Sequence, residues 1–169
     1  MGGATKILGI DPGLQRCGWG VLVADGPRLS YLAHGVIKPR TDQSLAERLA
    51  ALAAGIEAVV ADLAPDEAAV EETFVNSNAR AALTLGQARG AAMAAAARTG
   101  LPVAEYAPSV IKKAVVGSGA ADKSQIAFMV KRLLPAAGDV TADAADALAV
   151  AICHSAHGGF RKRAGGGAP

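Results

Sequence analysis

The segment Lys6-Ile-Leu-Gly-Ile-Asp11 constrains the fold of this chain more than any other. Ile7, Leu8 and Ile10 leave little polar alternation, which marks a buried strand. The run ends on an acid, Asp11, followed by Pro12-Gly13. A second apolar run, Ala68-Ala-Val-Glu71, ends the same way, and Asp143 and Asp146 stand three residues apart at the start of an alanine-rich stretch. Acids at two strand ends and on one helix face can converge on a point. Clustered carboxylates repel one another, and the usual remedy is a hard cation held by oxygen ligands. The pattern points to a divalent-metal enzyme acting on phosphate chemistry.

The rest of the chain supplies a frame for that convergence. Strands are expected over 5–11, 18–24 and 29–37, with Asp25-Gly26 as the turn between the last two, which makes an antiparallel meander. Ser44-Leu-Ala-Glu47 is a capping box opening a helix to about Leu63, broken by Pro65-Asp66. A fourth strand is expected over 67–73. Asn76-Ser-Asn78 can cap a helix from Ala79 to Arg98 that stops at Gly100. Pro102 to Tyr106 reads as a fifth strand. Helices follow over 108–116, from a cap at Asp122 to Leu134, and from Val140 to His154. The expected fold class is α/β: a mixed five-stranded sheet, three antiparallel strands then two parallel, with helices on both faces. In such a sheet the first and fourth strands can lie side by side, and ligands bind outside the C-terminal strand ends.

A chain of 169 residues is one domain by default. We expect a folded domain over 1–156 and a flexible, basic, Gly-rich tail over 157–169. The hydrophobic fraction of 51% is inflated by alanine, and no stretch is long enough to span a bilayer, since Glu57 interrupts 50–61 and Arg89 and Arg98 bracket 90–97. Asp11 falls where the apolar segment of a signal peptide would have to continue, so a cytoplasmic location is expected. Cys17 and Cys153 lack CxxC spacing and read as free thiols; Cys153-His154 with His157 shows no fourth ligand for a zinc site. The net charge of +2 is small, but Lys112-Lys113, Lys123, Lys131-Arg132 and Arg161-Lys-Arg163 can form a local basic face for a phosphate backbone.

Each motif has a plainer reading. Asp-Pro-Gly is common in turns; it also resembles the first phosphate motif of actin-like ATPases and sugar kinases. Of the adjacent pair Glu71-Glu72, the two-residue period of a strand turns one away from the other. Phe74 sits in a polar loop, either tucked into the core or presented to a partner. Asp143 and Asp146 share a helix face, and Asp143 also suits the positive end of the helix dipole. Gly117-Ser-Gly119-Ala-Ala-Asp122-Lys123-Ser124 fails the P-loop pattern, because the residue before Lys123 is Asp122 rather than glycine.

Together these residues resemble a family. Gly9-Ile-Asp-Pro-Gly13, Val70-Glu-Glu-Thr-Phe74, Leu85-Gly-Gln-Ala-Arg-Gly90, Val115-Val-Gly117 with Asp122-Lys-Ser-Gln125, and Ala142-Asp-Ala-Ala-Asp-Ala-Leu-Ala149 occur in the order and spacing of RuvC-type Holliday-junction resolvases. The likeness runs from Ile7 to about His154. It implies an RNase H-like fold, a homodimer, and a structure-specific endonuclease that resolves four-way junction DNA by paired symmetric nicks in recombination and repair. It places the acidic metal ligands on Asp11, Glu71, Asp143 and Asp146, with two Mg2+ (or Mn2+) ions per site. It places a junction-inserting aromatic on Phe74 and functional lysines on Lys112 and Lys123. A RuvA–RuvB branch-migration complex is the implied partner. Glu72 stands where the family often has glutamine. The competing classes are an actin-like ATPase, which needs a second domain and a second glycine-rich phosphate motif that this chain lacks, and a junction-binding module without nuclease activity.

Overall fold

The computed structural model describes residues 3–72 and 77–160. Its sheet is built from β1 (Thr5–Asp11), β2 (Cys17–Asp25), β3 (Arg28–Ile37), β4 (Glu67–Glu71) and β5 (Val103–Tyr106). The strand order is β3-β2-β1-β4-β5. The first three strands pair antiparallel, and β4 and β5 add in parallel beside β1. The mixed architecture expected from the sequence is the one observed. β4 stops at Glu71, and Thr73, expected within the strand, lies outside the described residues, as does Phe74.

Two helical layers cover the sheet because β1 and β4 carry apolar side chains on both faces. Leu8, Ile10, Val21, Ala68 and Val70 pack with α1 (Leu45–Leu63) and α2 (Ala79–Arg98). Ile7, Leu22 and Ala69 pack on the other face with α3 (Pro108–Val116), α4 (Lys123–Leu133) and α5 (Ala142–Ala156). α1 begins where the capping box predicts, with Glu47 N–H donating to Ser44 Oγ at 3.2 Å and Ser44 N–H to Glu47 Oε2 at 2.8 Å. Asn78 caps α2 by accepting from Ala81 N–H at 3.1 Å. α5 starts two residues later than Val140 because Thr141 is its N-cap, and Ala144 N–H donates to Thr141 Oγ1 at 3.4 Å.

The parallel pairing of β1 and β4 is fixed at its start. Lys6 N–H donates to Asp66 Oδ2 at 2.8 Å, and Asp66 N–H donates to the Lys6 carbonyl at 2.9 Å. Lys6 Nζ also caps the carbonyl of Leu63 at the end of α1 at 2.9 Å. Pro65-Asp66 therefore does more than break a helix: it clamps the incoming strand in register. No helix among the described residues is long and apolar enough to cross a membrane.

Candidate active site

Register brings the first two acids together. Gly9 pairs with Ala69 and Ile10 with Val70, so Asp11 and Glu71 follow side by side at the C-terminal ends of parallel strands. The two-residue period puts Ile7, Gly9 and Asp11 on the α5 face of β1, and Glu67, Ala69 and Glu71 on the same face of β4. Glu71, rather than Glu72, thus shares a hydrogen bond with Asp11. Glu72 lines the same cleft, while its backbone N–H donates to the Tyr106 carbonyl at 2.8 Å.

Helix α5 delivers the other two acids, and glycine makes its approach possible. A Cβ on Gly18 would stand 2.0 Å from the Asp143 carbonyl oxygen, one on Gly9 2.0 Å from that of Ala147, and one on Gly20 2.5 Å from Leu148 Cδ2. Gly9 and Gly20 are register partners, as are Asp11 and Gly18. The three glycines form a bare strip on which the first turns of α5 rest, backbone against backbone at Gly9 and Gly18 and through the Leu148 side chain at Gly20. Its N-terminal turn, with Asp143 and Asp146, is thereby set beside Asp11. The small residues Ala144, Ala145 and Ala147 on α5 suit the same close approach. The signal of the strip in the sequence is glycines at positions of one parity in two adjacent strands.

The electrostatics are those of a crowded acidic cluster. Asp11 is pushed up to about 8, first by burial, then by the charges of Glu71 and Asp146 and its hydrogen bond with Glu71. Glu71 is raised chiefly by burial and by Asp146, while Asp11, Lys123 and Lys112 oppose the rise. Asp146 is raised by burial against the pull of Lys123. The basic side chains stand around the cluster. Lys123 Nζ lies 3.6 Å from Asp146 Oδ2, and Arg16 Nη1 lies 3.9 Å from Asp143 Oδ2. As they stand, no three His, Cys, Asp or Glu side chains among the described residues converge tightly enough to grip one ion. Asp143 and Asp146 lean instead toward these cations. The oxygen-only donor set, its like charges and the partial burial nonetheless fit a hard divalent ion.

The cleft has a volume of about 650 Å³ and is lined by Asp11, Glu71, Asp146, Lys112 and Lys123, among others. Asp143 instead faces an adjoining groove. Lys112 comes from α3, and Lys123 is the first residue of α4. Asp122 occupies the place of a P-loop glycine because it caps α4: Gln125 N–H donates to Asp122 Oδ1 at 2.8 Å and Asp122 N–H to Gln125 Oε1 at 2.8 Å. Arg89, in the Leu85–Gly90 motif, was not assigned a role from sequence. Its Nε–H donates to the Glu71 carbonyl at 3.2 Å, and its guanidinium pairs with Glu105 on β5. It ties α2 to the ends of two strands directly behind the acidic cluster.

At the opposite end of the sheet lies a buried polar network. His154 Nε2 is 2.7 Å from Glu67 Oε2, and His154 Nδ1 is 2.8 Å from the Tyr106 hydroxyl. Both ring nitrogens of His154 are therefore engaged within the core, and Cys153 Sγ lies 3.7 Å from His157 Nδ1. Cys17 and Cys153 are both buried, and burial pushes the Cys17 thiol up to about 12. Phe160 packs against the core, and its N–H donates to Glu67 Oε2 at 3.3 Å; residues 161–169 of the expected tail lie outside the described residues.

This sheet order and helical layering define an RNase H-like protein, with an acidic cleft at the ends of its two central parallel strands. The chain belongs to the crossover junction endodeoxyribonuclease RuvC family, whose model matches residues 7–154. It is 60% identical over 151 residues to the crossover junction endodeoxyribonuclease RuvC of Caulobacter vibrioides, covering 89% of each chain. It is 56% identical over 158 residues to that of Paramagnetospirillum magneticum, covering 94% of this chain and 95% of the relative. Among solved structures it is similar to T. thermophilus RuvC in complex with a Holliday junction substrate, with a TM-score of 0.85, 32% identity, and coverage of 93% and 96%. The yeast mitochondrial Holliday junction resolvase Ydc2 shares the fold, with a TM-score of 0.63 at 12% identity and coverage of 89% of this chain and 78% of Ydc2.

Proposed function

We propose that this chain resolves four-way DNA junctions by metal-dependent phosphodiester hydrolysis, leaving a 5′-phosphate and a 3′-hydroxyl. The observation that carries the reading is the meeting of Asp11 and Glu71 at adjacent parallel strand ends, beside Asp146 on α5, in a cleft flanked by Lys112 and Lys123. It is supported by the family membership and by the junction bound to the T. thermophilus relative.

Asp11, Glu71, Asp143 and Asp146 are the residues that would hold two Mg2+ ions, or Mn2+ in their place. Such a pair supplies Lewis acidity, lowering the pKa of the attacking water and carrying charge from the leaving 3′ oxygen. The chain's own residues do the rest. Lys112 and Lys123 neutralise phosphate and position the strand. Lys123 exchanges its contact with Asp146 for a phosphate oxygen as DNA enters. Phe74 is assigned to the opened junction, where a wedge offsets unstacking of a few kcal/mol per step.

Paired nicks on a junction of near two-fold symmetry call for two sites related by a two-fold axis, as in a homodimer. The outward face of α2 supports such an interface: Leu83 is 64% exposed, and Gly86 and Gly90 have open space beside them at helical spacing. Residues 1–156 are taken as the nuclease domain and 157–169 as a basic tail. A RuvA–RuvB motor as a partner rests on the family resemblance, and a cytoplasmic location is the expectation read from the sequence.

The test is cleavage of an end-labelled four-way junction and of linear duplex of the same sequence, in Mg2+, Mn2+ or EDTA. Symmetric metal-dependent nicks confined to the junction are expected. Equal cutting of linear duplex would remove the junction specificity; binding without nicks would leave only a binding module.

A further inference from the structure

A polymer threaded through a catalytic cleft leaves it on both sides. Lys112 and Lys123 serve the side of Asp146. On the other side of α5's acidic turn lies a second groove of about 600 Å³, open to solvent, which meets the cleft at Leu85 and is bounded by Asp143. Its walls are the β1–β2 turn, with Gln15 and Arg16, and the first turns of α2, with Asn78, Arg80 and Thr84. These are hydrogen-bonding side chains and two exposed guanidinium groups; Asp143 is the acid among them.

We propose that this groove is a second phosphate-backbone subsite. It takes the stretch of the cut DNA strand on the far side of the scissile phosphate from Lys112 and Lys123, with Arg16 and Arg80 as its anion contacts. The inference rests on the nuclease reading above and extends it to residues that neither the acidic cluster nor the lysines account for.

Three features favour a phosphodiester strand over a small ligand. The groove is an open trough continuous with the cleft, as a polymer requires. Its cations are arginines, whose planar fork suits phosphate oxygens. Arg80 makes no ion pair among the described residues, and the contact of Arg16 with Asp143 is long, at 3.9 Å, on a side chain 64% exposed. Both are therefore available to an incoming anion. The turn itself is stiff: a Cβ on Gly13 would stand 2.3 Å from the Arg16 carbonyl, and Arg48 Nη2 of α1 donates to the Leu14 carbonyl at 3.3 Å. Arg16 is thus presented from a fixed backbone. An incoming phosphate that draws Arg16 off Asp143 also frees that carboxylate, which couples strand seating to the readiness of the acidic cluster.

The experiment uses the full chain and a labelled four-way junction in EDTA, so that binding is read without cleavage, across a salt titration. Each lost phosphate contact lowers the slope of log Kd against log salt by about 0.7–0.9. Arg80→Gln is expected to lower it by one such step, and Arg16→Gln with Arg80→Gln by about two, with unchanged melting temperatures because both side chains are exposed. Phosphate-ethylation interference is expected to mark both sides of the scissile phosphate for the wild type and only one side for the double variant. Wild-type slopes together with an unchanged interference pattern would overturn the proposal, most directly if Lys112→Gln and Lys123→Gln lower the slope in the same assay. Failure of the wild type to nick in Mg2+ would instead count against the nuclease reading, and the salt slope would still report on the groove.

Discussion

The carbonyl of Asp143 rests on Gly18 so closely that a Cβ there would stand 2.0 Å away. Backbone meets backbone at the point where α5 delivers its acids to β1. A methyl group cannot be absorbed by a rotamer change, because the obstructing atom is main chain. Gly18→Ala is expected to destabilise the fold by about 1–3 kcal/mol, the usual cost of overpacking. It should also depress nicking at temperatures where the variant is still folded, because the turn bearing Asp143 is lifted from Asp11. Denaturant unfolding and single-turnover cleavage read the two effects separately. Wild-type values in both would mean that α5 is not seated on this strip.

The raised Asp11 carboxyl makes the stability of the fold depend on pH. In a chelator its folded carboxyl holds a proton up to about pH 8, against an ordinary value of 3.8 in the unfolded chain. Between those values the folded state binds more protons, so stability falls as pH rises. The stabilising proton is fully present below about pH 4 and is lost through about pH 8. Asp11→Asn removes the buried acid. In EDTA its melting temperature should therefore fall less steeply over this range and exceed the wild type at alkaline pH. The same variant should bind junctions and fail to nick them in Mg2+. A wild-type pH dependence of melting in Asp11→Asn would show that the proton resides elsewhere.

A divalent ion bound at this cluster as proposed would have to displace that proton. Adding Mg2+ to the weakly buffered protein near pH 7 should therefore acidify the solution, and Asp11→Asn should release fewer protons. Calorimetry in buffers of different ionisation enthalpy measures the number. Binding heat that does not vary with buffer would contradict a protonated Asp11 in the metal-free cleft.

Arg89 stands behind Glu71, bonded to its carbonyl and paired with Glu105. Arg89→Met should loosen the end of β4 and lower nicking on the order of tenfold to a hundredfold, since small misplacements of reacting groups are costly. Arg89→Lys should rescue little, because an ammonium cannot span both partners as a planar fork does. Stability should change by only about 1 kcal/mol, since the pair is partly exposed. Equal rates for Arg89→Lys and wild type would reduce the residue to a simple positive charge.

Glu67 and His154 form the corresponding device at the far end of β4, in the core. His154→Phe leaves a buried carboxylate without its imidazole partner and should cost about 1.5–3 kcal/mol. Nicking per folded molecule should hold, because Glu67 opens the strand that Glu71 closes. A selective loss of activity without loss of stability would place the network in the function rather than in the fold.

Much of the site was legible before any fold was known, and the reasons are local. Ser44-Leu-Ala-Glu47 and Asp122-Lys-Ser-Gln125 fix helix starts through bonds among residues three apart, so the sequence states them directly. Asp11 and Glu71 close apolar runs, and Asp143 and Asp146 have helical spacing. The choice between Glu71 and Glu72 was not legible from residues alone, because it depends on how β4 registers against β1. Arg89 and the His154 network were missed because their partners lie 18 and 87 residues away in the chain, respectively at Glu71 and Glu67.

The sequence by itself determined the elements, their order and the chemical kind of the site, because apolar periodicity, caps and the placement of acids are properties of neighbours along the chain. Only the tertiary structure decided which acids share a hydrogen bond, how closely α5 can lie on the sheet, and which cations face the cleft or the groove beside it. Those outcomes depend on strand register and on the close approach at Gly9, Gly18 and Gly20, where α5 meets strands that precede it by more than a hundred residues.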